Sequence, residues 1–206
     1  MLTLEDLQSC EKDQIASLAA TLTAADVHQL VAWLGEKDDN IRYKAYLLSL
    51  QRSQTDSDFY PYWETFVEKL NSSNSYQRNI GLRLLAKNVR WDASGQFDGL
   101  VDRYLSLCDD EKPITVRQCI QSLCEVVPYN KKVHAKIIDK LIAIDLMQRK
   151  ETQQKLLLLD ILSVFAAIQK VQKDDRIPPY VHHALTGGLL DKKTREMLQQ
   201  EWVPLL

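Results

Sequence analysis

The chain has 206 residues, with 26 Lys+Arg against 28 Asp+Glu, a formal net charge of −2, and hydrophobic and charged fractions of 45% and 26%. Its six glycines and six prolines are about half the usual share for this length. That is too few for the hairpins of a sandwich or barrel or for a phosphate-cradling loop, so an all-helical protein is expected, and the slightly acidic balance argues against general nucleic-acid or membrane-surface binding.

Residues 3–20 open with a helical pattern (Leu4, Leu7, Ile15, Leu18, Ala19) that Cys10-Glu11-Lys12-Asp13 can break. The start, Met1-Leu2-Thr3-Leu4-Glu5-Asp6, carries neither the basic nor the apolar region of a signal peptide. Val27, Leu30, Val31 and Leu34 then recur at i, i+3, i+4 and i+7, one face of a helix. The same template returns as Trp63, Phe66, Val67 and Leu70, and again as Val101, Tyr104, Leu105 and Cys108. Its fourth copy is His134, Ile137, Ile138 and Leu141, with His134 out of pattern.

A second template lies between the copies. Ile41, Arg42, Ala45 and Leu48 correspond to Gln77, Arg78, Gly81 and Leu84, then to Val116, Arg117, Ile120 and Leu123, and last to Gln154, Lys155, Leu158 and Ile161. Each second helix thus has a basic residue near its start, followed by an apolar stripe. Gly81 costs about 1 kcal/mol in a helix relative to Ala and stands where its neighbour has Ala45, which implies a close approach of two helices. Asp38-Asp39-Asn40, Asn71-Ser72-Ser73-Asn74-Ser75 and Asp109-Asp110-Glu111-Lys112-Pro113 separate the helices of a pair. They supply N-cap residues and a proline suited to a first helical turn.

The run Leu156–Ile168 is apolar on nearly every face, interrupted by Asp160 and Ser163. It is shorter than the roughly 20 residues of a membrane span, so burial on several sides is expected, either under the C-terminal helices or in a homodimer. After Pro178-Pro179 a helix begins near Tyr180 and ends at Gly187-Gly188, and a last one runs from about Asp191 to Trp202.

Helix pairs at this period fall near the HEAT and armadillo lengths. The segment Asp109-Asp110 through Pro113, Val116-Arg117 and Leu123, and the copy around Asp39, Ile41-Arg42 and Ala45, resemble the HEAT-repeat family over roughly residues 24–170. That resemblance implies an all-α, right-handed α-α superhelix (a HEAT/armadillo-like solenoid) of about four helix pairs with terminal caps. A single domain over 1–206 is expected, with an N-terminal cap at 1–22, pairs at 23–54, 58–91, 95–128 and 130–170, and a C-terminal cap at 178–206. It also implies a ladder in which Arg42, Arg78, Arg117 and Lys155 hold turn acids or helix-end carbonyls. The alternative is a groove in which they grip acidic peptide or phosphate groups.

The cluster Phe59-Tyr60-Pro61-Tyr62-Trp63 is dense in aromatics, with Tyr43 and Tyr46 on the preceding helix. Trp63 and Phe59 fit the core, leaving Tyr43, Tyr60 and Tyr62 as the members expected at the surface. Asp160, a carboxylate on an apolar helix, needs a partner or has a raised pKa. It is a functional acid, a residue facing the groove, or the cap of an inter-repeat pair with Lys or Arg. The adjacent His182-His183 lacks metal-ligand spacing, and Cys10, Cys108, Cys119 and Cys124 form no C-x-x-C pair, so no metal, cofactor or catalytic residue is expected.

These features favour a non-enzymatic, cytoplasmic scaffold without a membrane segment, binding a protein or peptide on the concave face of the second helices. The candidate contacts are Arg42, Tyr43, Tyr46, Tyr60, Tyr62, Arg78, Arg117, Lys155 and Asp160. Two other classes remain open. One is a HEAT-like DNA-binding or repair-glycosylase type of protein. Against it, residues 1–128 hold 13 basic and 19 acidic residues, and only 129–206, with 13 and 9, is basic. The other is a structural subunit that forms a homo-oligomer or larger assembly through Leu156–Ile168.

Overall fold

The computed structural model describes residues 1–205, which form helices and turns with no strand among them. Twelve α-helices follow in order: α1 Leu4–Ser9, α2 Ile15–Ala20, α3 Ala24–Trp33, α4 Asp39–Thr55, α5 Trp63–Lys69, α6 Ser75–Asn88, α7 Gln96–Ser106, α8 Pro113–Val126, α9 His134–Ile142, α10 Glu151–Val171, α11 Ile177–Thr186 and α12 Lys192–Trp202. The all-α class is therefore as expected. The chain divides into two compact units, Met1–Ser94 and one beginning at Gly95. The division falls in the loop placed between the second and third pairs.

Caps explain where the helices begin. The side chains of Thr3, Thr23, Asp38, Asn74 and Asp191 each accept a backbone N–H from the first turn that follows, satisfying donors the helix cannot. Pro113 occupies the first position of α8, where its missing N–H costs nothing. The opening pattern does break: Cys10 is extended and Glu11 begins a short 3-10 turn, Lys12–Gln14, before α2. Gly95 caps α7 with φ of 76°, a left-handed conformation that glycine adopts without steric cost.

In the first unit, α1, α2 and α3 pack on α4, α5 packs on α6, and α4 lies against α6. Polar bonds tie one pair to the next. Gln77 Nε2 donates to the Leu34 carbonyl (2.9 Å), Asn88 Nδ2 to Ser53 Oγ (3.1 Å), and Trp91 Nε1 to the Ser53 carbonyl (2.9 Å). In the second unit α7 contacts α9 and α8 contacts α10, first helix with first and second with second. Lys132 and Lys136 on the later pair reach Asp98 and Asp102 on the earlier one at 3.2 and 2.7 Å, and Lys140 pairs with Asp109.

The first-template positions line the cores. Leu30, Leu34, Phe66, Tyr104, Cys108, Ile137, Ile138 and Leu141 are inaccessible to solvent. His134, the polar exception, is also buried, and its Nε2 bonds the Val127 carbonyl at 2.9 Å. Within α10, Leu157, Leu158, Ile161, Leu162, Val164, Phe165, Ala166 and Ile168 are buried inside the chain. Phe165 stacks edge-on against Tyr180 of α11 at 5.2 Å. α8 supplies most of the cover of this segment, with α9 and α11 beside it, and Leu156 alone among its large apolar side chains stays exposed, at 41%. No described helix is long and apolar enough to cross a membrane.

A Cβ built on Gly81 lies 2.7 Å from the Phe66 carbonyl oxygen and 3.0 Å from Lys69 Cβ, so α6 meets α5 at the distance of a missing side chain. Alanine would add about 1 kcal/mol of helix propensity, but overpacking costs about 1–3 kcal/mol and the obstacle is backbone. Gly81→Ala is expected to lower the urea-unfolding midpoint, a net loss of up to about 2 kcal/mol. A midpoint at or above that of the unmodified chain contradicts the close approach.

Candidate functional site

The four basic residues of the second helices divide into two uses. Arg42 is 9% exposed, and its Nη1 donates to the carbonyls of Glu36 (2.9 Å) and Lys37 (3.4 Å) while Nη2 pairs with Asp39. Arg78 repeats this geometry, donating to the carbonyls of Ser72 (2.8 Å) and Ser73 (3.1 Å). Both guanidiniums reach back five and six residues, to carbonyls of the turn that follows the first helix of their own pair. Each is thus engaged within its own pair.

Arg117 and Lys155 instead reach forward. Arg117 Nε and Nη2 form a fork on Asp160 at 2.7 and 3.1 Å, and Gln121 Nε2 adds a third bond to Asp160 at 2.9 Å. The carboxylate is 9% exposed and the guanidinium 30%, and the bond raises the arginine's pKa. Asp160 is thus the partnered member of an ion pair between α8 and α10. Lys155 pairs with Asp191, the N-cap of α12. That lysine, followed by bonds from Thr194, holds the Asp191 carboxyl below the usual range. In this fourth pair the carbonyl clamp passes to Gln154, whose Nε2 donates to the Arg149 carbonyl at 3.0 Å.

The tyrosines also separate. Tyr60 and Tyr62, expected at the surface, are half-buried and engaged: Tyr60 Oη donates to Asp92 (2.7 Å) and lies 2.9 Å from Ser94 Oγ, and Tyr62 Oη is 3.4 Å from His28 Nδ1. The short 3-10 turn Tyr60–Tyr62, which starts α5, turns both rings against neighbouring loops and helices. Tyr43 is 51% exposed, its ring 6.5 Å from that of Tyr46. Burial raises the Tyr46 phenol, and the Arg83 guanidinium beside it opposes that shift.

Two members of this surface escape the repeat templates. Tyr76 is 64% exposed, and the Arg42 guanidinium lies 5.4 Å from its ring centre, a cation–π distance. Arg83 stands on the same helix, one turn before Lys87. Neither belongs to the recurring apolar stripe. A helical projection of α6, which puts residues 76, 79–80 and 83 on one side, was the signal available. Two sets of contacts thus mark this surface of α4 and α6: Tyr43, Tyr46 and Arg83 in one, and Arg42 with Tyr76 in the other.

Two of the cysteines are held in the thiol form. Burial pushes the Cys124 thiol up to about 11 and Cys119 well above its ordinary value, so the thiolate is scarce at neutral pH. Cys119 Sγ sits 3.5 Å from Cys108 Sγ and 3.3 Å from the Tyr104 carbonyl. Among the described residues no three His, Cys, Asp or Glu side chains cluster as a metal site would require.

If the Arg117–Asp160 fork is structural, removing one partner strands a buried charge. Arg117→Met is expected to cost about 2–4 kcal/mol in urea unfolding, and Arg117→Met with Asp160→Leu to recover most of the loss. Equal losses for the single and double variants contradict that role.

Compared with protein-family models, curated proteins and solved structures, the chain matches none.

Proposed function

We propose that the chain is a helical-repeat interaction module of the HEAT type, a right-handed α-α superhelix that binds a protein or peptide on the face made by its second helices. The observation that carries this reading is the tyrosine patch on α4 and α6, where Tyr43 and Tyr76 stand 51% and 64% exposed on two second helices that lie side by side. Tyrosine and arginine are enriched among the residues that dominate interface energies. Rigid aromatic rings held by neighbouring repeats meet a partner at low entropic cost.

The repeat reading is supported by bonds that join one pair to the next within each unit, such as Asn88 to Ser53 and Lys136 to Asp102. Each pair buries an apolar face against the next. The glycosylase-type alternative needs a functional acid, and Asp160 is committed to Arg117 and Gln121. The assembly alternative needs an open apolar face on α10, and that face lies under the chain's own helices.

A photo-crosslinking residue placed at Tyr43 or Tyr76 is expected to trap the same partner from a lysate of the source organism. The same residue at Glu64 or Glu68, exposed on the first helix α5, is expected to trap none. Crosslinks from α5 with none from positions 43 and 76 would overturn the assignment of the face.

A further inference from the structure

Charge is sorted between the two layers of the first unit. Its second helices, α4 and α6, carry Arg42, Lys44, Arg52, Arg78, Arg83 and Lys87 against a single carboxylate, Asp39. The unit's other helices carry Glu5, Asp6, Asp26, Glu64 and Glu68 against Lys69. The slightly acidic balance of the whole sequence therefore hides a basic face, and the tyrosine patch lies on it.

Much of that positive charge is already used within the chain. Arg42 and Arg78 hold carbonyls, Arg42 also holds Asp39, Arg52 is paired with Asp56 and Asp58, and Lys44 donates to the Gln8 carbonyl. Asp39, the only acid of these two helices, is thereby neutralised, so no uncompensated carboxylate of α4 or α6 repels an anion at the patch. Arg83 places its guanidinium beside Tyr46 and is half-exposed. The patch thus combines aromatic faces, phenol hydroxyls and one guanidinium able to fork onto a carboxylate.

Resting on the function proposed above, we infer that the partner is recognised through a short acidic peptide segment. In it, one or two carboxylates meet Arg83 and adjacent apolar or proline side chains lie on Tyr43 and Tyr76. Charge complementarity selects the sign of the ligand, and aromatic-lined grooves suit extended peptides. A nucleic acid fits less well. Its backbone asks for a row of cations, one for each phosphate neutralised, and three arginines of this face are turned inward onto carbonyls or carboxylates.

The test is to pan a random dodecapeptide library on the immobilised full chain and measure the enriched peptides by fluorescence anisotropy. The expected peptides are net acidic and bind more weakly as salt rises. Their affinity falls at least tenfold with Arg83→Glu and with Tyr43→Ala/Tyr76→Ala. It falls less with Arg83→Gln, which guards against a folding defect, and is unchanged with Lys12→Glu, an equal charge change on the 3-10 turn before α2. Neutral or basic peptides, or acidic ones indifferent to Arg83→Glu, overturn the inference, as does a single-stranded oligonucleotide that binds at physiological salt and is lost with Arg83→Glu. Crosslinking from Tyr43 and Tyr76 to a partner without such a segment would overturn the ligand chemistry while leaving the binding face intact.

Discussion

The constraint on which the rest depends is the set of turn carbonyls that follow each first helix. The last carbonyls of α3 and α5 are bonded by N–H groups of the turn itself, Gly35 and Glu36 on Ala32 and Trp33 and Asn71 and Ser72 on Glu68 and Lys69, so the carbonyls that still need a donor are those of the turn residues. In the first unit the chain answers with a guanidinium: Arg42 closes the turn after α3 and Arg78 the turn after α5, each from the first turn of the helix that follows. One side chain fixes the turn, the start of the second helix and the angle between them. The buried stripes then align by packing.

The same sequence position is used differently along the chain. In the third pair Arg117 abandons its own turn for Asp160, and Arg149 Nη2 reaches back to the Cys108 carbonyl at 3.3 Å. In the fourth, Gln154 takes over the carbonyl and Lys155 is released to Asp191. A carbonyl needs only a donor, so an amide serves where no acid must be neutralised. A buried carboxylate such as Asp160 needs a cation, and Arg117 is the one within reach. The exposed lysine–aspartate pairs between α7 and α9 are a separate matter: each is worth little alone, and they mark register more than they hold it.

Much of this was legible in the sequence because two periods coincide, the helical repeat of the apolar stripes and the longer repeat of the pairs. The caps at Asp38, Asn74 and Asp191, the break near Cys10 and the tight place at Gly81 each had a local chemical signal. The surface was harder to read. Tyr60 and Tyr62 looked available because composition does not reveal a turn that folds both hydroxyls onto Asp92, Ser94 and His28. Tyr76 and Arg83 were overlooked because they lie outside the repeating stripe, and a residue that faces solvent leaves no periodic trace. Net charge misled in the same way, since it sums over layers that the fold separates.

The central claim is that the repeat arginines hold the chain together while charge for a partner comes from a different row of the same helices. Urea unfolding of Arg42→Met/Arg78→Met beside Arg83→Met tests it directly. Loss of buried charged hydrogen bonds is expected to cost the double variant about 2–4 kcal/mol, while Arg83→Met stays within about 0.5 kcal/mol of the unmodified chain, as a substitution outside the core does. Comparable effects in the two proteins, or a double variant as stable as the parent, would contradict the claim.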